Sequence, residues 1–554
     1  MSKCKQCKTS FEITDKDRQF YGNISVPEPV NCPKCRLVRR LLERNARQLY
    51  WRKCDYSGKK IISQYHENQP FPVYDQAIWW SDKWDSMQYG MDFDFKRPFF
   101  EQFRDLQNSV PHFSVFIVGN TLENSDFTNC TGYIKNCYLI SEADYNEDCY
   151  YSNRIYHSKN LVDCTNCYES EYSYECIDCI KTYNLFYSQE CQNCSDSWFL
   201  QSCLGCKNCI ACINQRHKEY MIFNKQYAKD EYEKVKAGFE LKNYKKILEL
   251  KNKAYEFFKT HPHKALQGEN NQNVVGDHVY NSKNADLCFD CKDLEDCKYC
   301  VKVANGVKNC MDYTSWGFKA ELLYESASCG DNAYNLKFCS TCTTNNSDLT
   351  YCFQCTSSSN LFGCVGLRHK KFCILNKQYT KEEYEKLVPK IIDYMRKTGE
   401  WGQFFPSDLC SFGYNETIAM DHFPLTKKQA EAQGYKWSDY EMPPLEVKKT
   451  IPTNRLPNFI TEIPDDVLNW AIVCEVTGKP FRLVASEHAF YRRMDLPIPH
   501  RRPDQRHRDR MSLRPPYELW DRTCDLCKKN IKTTYSSDRP EKVYCEECYL
   551  KSIY

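Results

Sequence analysis

The stretch NLFYSQECQNCSDSWFLQSCLGC, residues 184–206, decides how the chain is to be read. Short apolar runs alternate with small polar residues, and Cys returns in CxxC pairs. YCFQC (351–355), NLFGCVGL (360–367) and KFCIL (371–375) repeat the pattern further on. Runs of this length, broken by turn residues every roughly 8 to 15 positions, read as short strands. No such strand buries a core alone, but stacked coils bury one continuously. The pattern predicts a parallel β-solenoid with Cys, Leu, Phe and Ile inside and Asn and Ser at the corners. A string of small zinc knuckles is the alternative, because CxxC pairs also suit metal.

The pattern occurs twice. RHKEYMIFNKQYAKDEYEKV (216–235) matches RHKKFCILNKQYTKEEYEKL (368–387), and each copy follows a Cys-rich tract. Helical spacing follows each, in 226–259 and 380–396. Arg216-His217-Lys218 and Arg368-His369-Lys370 read as the exit turn of each tract.

The two ends form a second duplication. Shifted by 470, Cys4 meets Cys474, Phe20-Tyr21 meets Phe490-Tyr491, and Arg36, Arg40 and Arg44 meet Arg506, Arg510 and Arg514. Arg52 and Cys54 meet Arg522 and Cys524. The expected fold class is therefore mainly β with helical inserts: two terminal zinc-ribbon modules flanking two Cys-rich β-solenoid tracts. The expected divisions are a ribbon module with an aromatic extension at 1–110, a solenoid at 111–225 and a helical connector at 226–272. A second solenoid at 273–375, a helical and irregular connector at 376–465 and a second ribbon module at 466–554 complete the chain.

Zinc takes four soft ligands in a tetrahedron, and two CxxC knuckles supply them. Cys4, Cys7, Cys32 and Cys35 form one such set, and Cys524, Cys527, Cys545 and Cys548 the other. Two Zn2+ per chain are expected. Redox CxxC usually sits in a βαβ context, which the sequence lacks. Each module also keeps a depleted second set: Cys54 with Ser57, Asp75 and Ile78, and Cys474 with Thr477, Arg502 and Gln505. Cys474 is expected to pack as a thiol. The tract pairs, such as Cys164/Cys167 and Cys352/Cys355, read as packed thiols, with additional zinc as the alternative. CLGCKNCIAC (203–212) brushes a ferredoxin spacing, but its last gap is short and no Pro follows.

Charge is local. Residues 34–53 hold eight Lys/Arg against one Glu, whereas residues 141–179 hold nine acidic against two basic residues. RLVRRLLERNAR (36–47) puts Arg36, Arg39, Arg40, Arg44 and Arg47 near one face of an expected helix. Arg501, Arg502, Arg506, Arg508 and Arg510 are the counterpart. Arginine forks suit phosphate oxygens, so these ten are candidate RNA contacts. Pairing with the acidic tract of the same chain is the competing reading. Trp79, Trp80 and Trp84 read as core that packs the first module onto the first solenoid, with a docking surface as the alternative.

The start MSKCKQCKTSF has no apolar signal region, and no run approaches a membrane span. A cytoplasmic, reducing setting is expected, which disfavours a disulfide framework for the 36 Cys. GxGxxG after a strand, GxxxxGK[ST], HExxH and GxSxG are missing, so no enzyme is expected. NLFGCVGLRHKKFCILNKQYTKEEYEKL, with CDLCKKNIKTTYSSDRPEKVYCEECY, resembles Cys-rich zinc-ribbon proteins of candidate-phyla bacteria over most of the chain. Some of those carry a CaiB/BaiF label, for which the sequence shows no Rossmann-like pattern. The resemblance implies zinc binding and brings no activity with it. The expected function is a non-enzymatic zinc protein that binds RNA or a ribonucleoprotein through its Arg-rich modules. The alternative is a structural protein whose solenoids and aromatic segments contact protein partners or copies of itself.

Overall fold

The computed structural model describes residues 1–318, 320–442, 447 and 449–554. The expected connector 376–465 therefore includes positions 443–446 and 448, which lie outside the described residues. Two parallel β-solenoids dominate, running from the bridge at Ile117 to the hairpin Lys225–Gln226 and from Gly268–Glu269 to Lys377–Gln378.

The repeat is built from triplets. In the first solenoid, partners on neighbouring turns are twelve residues apart, as in Asn153 with Thr165, Glu171 with Tyr183 and Ser195 with Lys207. Every third residue is left-handed: Asn166, Glu169, Tyr172, Glu175, Asp178, Lys181 and Asn184 have φ between 49° and 58°. Each turn is thus a square coil with four three-residue sides. A left-handed non-glycine residue costs about 1–2 kcal/mol, and hydrogen bonds between turns offset it. Asp178 N–H donates to the Thr165 carbonyl at 3.0 Å. Asn184 Nδ2 donates to Asp196 Oδ1 one turn on, at 2.9 Å.

The residue after each corner points inward, and the square is narrow. Cys164, Cys167, Cys176, Cys179, Leu185 and Cys191 line one continuous interior with Ile155 and Leu161. Cys fits because it is small and has one weak donor. Cys164 Sγ meets the Val162 and Ser173 carbonyls, both at 3.5 Å. Ser152 does the same work, donating to the Tyr150 carbonyl and accepting from Cys164 N–H, each at 3.0 Å. Phe, expected inside, is outside. Tyr150, Val162, Tyr174, Phe186, Trp198, Ile210 and Ile222, one per turn, form an outer stripe in a separate apolar cluster. The narrow interior of the first solenoid takes none of these rings, whereas the second admits Tyr313, whose hydroxyl donates to the Cys329 carbonyl.

The second solenoid has the same plan with a defect that explains its irregular period. Val301 pairs with Thr314 and Tyr334 with Ser347, a spacing of thirteen. The extra residue is absorbed at one corner, where two left-handed residues follow each other: Asn305-Gly306, Asp331-Asn332 and Thr344-Asn345.

Each outer stripe is covered, and the covering is crossed. The first stripe packs on Ile247, Leu250 and Phe258 of the helix Tyr244–Lys259 and on Phe490, Tyr491 and Leu496 of the C-terminal module. Tyr324, Tyr351, Phe362 and Ile374 of the second solenoid pack on Tyr21, Trp79, Phe99 and Phe103 from the N-terminal module, and on Ile391 of the helix Lys381–Thr398. Trp79 and Trp84 are core, as expected, but they face the second solenoid. The Arg368 guanidinium lies over both rings, at 5.6 and 5.7 Å. Trp80 is partly exposed.

Candidate metal centres and the arginine helices

Each four-cysteine set is assembled by two short backbone pieces. At the N-terminus a tight turn closes with Lys8 N–H on the Cys4 carbonyl at 3.0 Å, with Lys8 left-handed. The second pair opens the helix Pro33–Leu42, for which Cys32 is the N-cap residue. At the C-terminus, Lys528 N–H donates to the Cys524 carbonyl at 2.9 Å, and Cys545 caps the helix Glu546–Ile553. In each set the four sulfur atoms lie within 4.8 Å of one another.

The donor set fits a tetrahedral thiolate site. A metal–sulfur bond of about 2.3 Å gives a tetrahedron edge of about 3.8 Å. Cys7 and Cys32 are 3.7 Å apart, and Cys527 and Cys545 are 3.8 Å apart. Within each set the thiols are driven apart: the bond with Cys32 pushes the Cys35 thiol well up, and the bond with Cys545 pushes the Cys548 thiol up to about 12. A hydrogen bond from Cys35 brings the Cys32 thiol down to about 5 against its burial. Burial disfavours the Cys524 thiolate, but the N–H groups of Cys527, Cys545 and Leu526 outweigh it and lower the thiol to about 6.

Among the described residues, these two sets are the only groups of three or more His, Cys, Asp or Glu that close to metal distance. The additional zinc considered for the solenoid pairs has no such geometry. A CxxC there places its thiols on adjacent sides of one square turn. Cys203, Cys206, Cys209 and Cys212 stand on successive sides of the coil, so their spacing reflects the triplet and not an iron–sulfur site.

The depleted units keep the ribbon shape. Gly58 N–H donates to the Cys54 carbonyl at 2.8 Å, and Gly478 N–H to the Cys474 carbonyl at 2.9 Å. Asp75 N–H points at Cys54 Sγ from 3.2 Å. Cys474 lies in the apolar cluster of the first stripe, and Arg502 is turned to Asp504 at 2.7 Å.

The arginine helices are turned inward, which corrects the expectation that they form an open phosphate grip. Arg36 and Arg40 share Asp312 of the second solenoid, at 2.7 and 3.2 Å, and all three side chains are at most 1% exposed. Arg506 and Arg510 share Asp163 of the first solenoid, again fully buried. Arg39 Nη2 donates to both carboxylate oxygens of Glu325, at 2.6 and 2.9 Å. Arg44 reaches Glu142 at 3.4 Å. The Arg47 guanidinium is buried, with Asp421 and Asp504 in its field. Arg501 is half-exposed and tied to Glu475 and Asp509 at 2.6 and 2.8 Å. Arg508 alone of the ten is well exposed. The helix also stops at Leu42, so Arg44 and Arg47 lie beyond it. A buried guanidinium bound to a carboxylate has no fork left for a phosphate.

The correspondence between the halves is detailed. Arg36 lies over the Tyr299 ring at 5.1 Å and Arg506 over Tyr151 at 4.6 Å. Between the solenoids, Lys302 meets Glu142 at 3.4 Å, and Arg154 meets Asp290 at 2.8 Å. Arg44 joins the first pair, and Arg514 joins the second at 2.8 Å. The two halves thus grip each other through reciprocal ion pairs. Asp163, Asp312, Glu142, Asp290 and Arg154 were not singled out in the sequence. The acidic excess of 141–179 is a signal for Glu142 and Asp163 alone.

The fold and these centres define a double β-solenoid protein with two terminal modules, each bringing four cysteines to the geometry of a metal site. No protein-family model matches the chain, and no curated protein matches it with significance.

Proposed function

We propose that the protein is a non-enzymatic, zinc-stapled binding scaffold acting in a reducing, cytoplasmic setting. One observation carries this reading: Arg36, Arg39, Arg40, Arg44, Arg506 and Arg510 of the terminal modules are spent on solenoid carboxylates, so the modules' role is to lock two coils into one rigid body. What the body then offers is a pair of matching outer rows. Lys135, Glu147, Lys159, Glu171 and Tyr183 succeed one another up the first solenoid. Lys283, Glu295, Lys308, Glu321 and Tyr334 do so on the second. Tyr183 and Tyr334 are half-exposed at corresponding positions. Exposed Tyr with satisfied charges around it suits a protein partner or a second copy.

RNA binding is the second reading, and a different surface favours it. The hairpin Tyr50–Lys53 with Lys60–Ser63 exposes Trp51, Lys53, Tyr56, Lys59 and Lys60, with the Lys60 ammonium 4.5 Å from the Trp51 ring centre. Aromatic rings among lysines suit single-stranded nucleic acid. Metal and nucleic-acid content of the native chain separates the readings. The scaffold reading expects two zinc ions, no nucleic acid, and an assembly or partner lost on Tyr183→Ala/Tyr334→Ala. Co-purifying RNA that leaves steeply with salt supports the second reading.

A further inference from the structure

The duplication contains its own control experiment. In each module the last strand of the second ribbon unit pairs with the segment that enters a solenoid. Val73–Tyr74 runs parallel to His112–Phe113 ahead of the first solenoid. Lys542–Tyr544 runs parallel to Pro262–Lys264 ahead of the second. The registers correspond: Val73 faces His112, and Val543 faces His263. The closing bonds correspond too. Ser114 N–H donates to the Tyr74 carbonyl and Ala265 N–H to the Tyr544 carbonyl, each at 2.9 Å.

The two clasps are held by different means. The N-terminal one has Cys54 but no other thiol of a metal set. It is packed instead: His112 stacks on Phe71 at 3.9 Å, with Tyr65 and Phe353 against it. Val73 and Phe113 belong to large apolar clusters. In the C-terminal clasp Glu541 stands at the Phe71 position. Its apolar cluster shrinks to Ala265, Tyr535 and Val543. Tyr535 keeps its ring contact with His263 at 5.6 Å, and the other ties are polar: Thr533 Oγ1 to the Ala265 carbonyl at 2.8 Å, Lys264 to Glu546 at 2.8 Å, and Asn214 Nδ2 to the Pro262 carbonyl at 2.8 Å. Directly after the gripping strand comes Cys545, whose N–H points at Cys524 Sγ from 3.3 Å. Ligand and strand are one piece of backbone. Cys527 is exposed, so an ion here can be reached from solvent.

We propose that the C-terminal four-cysteine site is a metal-dependent clasp on the linker between the two solenoids. Loss of its ion frees 262–264 and loosens the entry to the second solenoid, while the entry to the first stays closed. This rests on the metal reading above.

Hydrogen exchange on the zinc-loaded full chain tests it, with bound metal counted in the same samples. Chelation is expected to speed exchange at the Ala265 amide by roughly tenfold or more and to leave Ser114 unchanged. Added zinc restores protection. Cys527→Ser/Cys548→Ser reproduces the effect, and Cys7→Ser/Cys35→Ser does not. Protected amides in Ser347–Thr350 show that each variant is folded. Metal loss with no change at Ala265, or with an equal change at Ser114, overturns the clasp alone. A chain that holds no metal at Cys524, Cys527, Cys545 and Cys548 overturns the metal reading and the clasp together.

Discussion

At the scale of single residues, carboxylates inside the interfaces hold the molecule's charge in place. Asp163 and Asp312 each face two buried guanidiniums. Removing one partner of a buried pair leaves an uncompensated charge, which costs about 3–5 kcal/mol. Asp163→Asn and Asp312→Asn are each expected to lower stability by about that amount in urea unfolding, little affected by salt. A second residue sets a pH limit. His278 has Asp277 at 3.0 Å, Asp178 at 3.8 Å and Glu190 at 4.0 Å, with Arg514 opposing them. Burial disfavours its imidazolium, but Asp277 and Asp178 outweigh burial and raise its pKa from 6.5 to about 10. A raised pKa adds stability that is complete below pH 6.5 and is lost as pH rises towards 10. The unfolding midpoint of the native chain should fall across that window, and His278→Gln should remove that part of the decline.

At the scale of elements, the triplet coil explains the cysteine content. Most inward side chains are small or slender and satisfy no more than a carbonyl or an N–H, as Cys and Ser both do; Tyr313 is the exception. Cys179→Ser is therefore expected to cost no more than about 1–2 kcal/mol, whereas Cys179→Phe overpacks the square and costs more. Thermal unfolding of the two variants ranks them, and equal losses would mean that the interior is looser than it looks. The same elements show what the sequence made legible. Strand-like runs, paired cysteines and the offset of 152 between the tracts announced two solenoids and both metal sets. The triplet did not show, because its left-handed corners carry Glu, Tyr and Lys as well as Asn and Asp, so no residue type marks them. The thirteen-residue turns then blurred the period. Phe was placed inside because hydrophobicity alone does not separate a narrow interior from an outer stripe that another module covers. The arginines were visible, but partners such as Asp312 for Arg36 and Asp163 for Arg506 lie more than two hundred residues away in sequence, and charge counts alone do not pick out the pairs.

At the scale of the whole molecule, crossed packing makes distant parts depend on one another. The C-terminal module follows the second solenoid in the chain but seals the first: Phe490 and Tyr491 meet Tyr174, while Arg506 and Arg510 meet Asp163. Deleting residues 466–554 should therefore strip cover from Tyr150 to Tyr174 and open Asp163, which loses both of its guanidiniums, to water. The second solenoid, whose stripe is held by Tyr21, Trp79 and Phe99, keeps its cover. Hydrogen exchange on the truncated chain is expected to rise in Asn153–Tyr156 and Lys159–Val162 while Tyr334–Lys337 and Ser347–Thr350 keep their protection. Sequential packing, with each module covering its neighbour in the chain, predicts the reverse, with loss in the second solenoid and none in the first. The two patterns are mutually exclusive, so a single truncation decides between them. The crossed outcome also orders assembly: the helix Tyr244–Lys259 covers part of the first stripe as soon as it is made, and the rest is sealed only when the last module arrives.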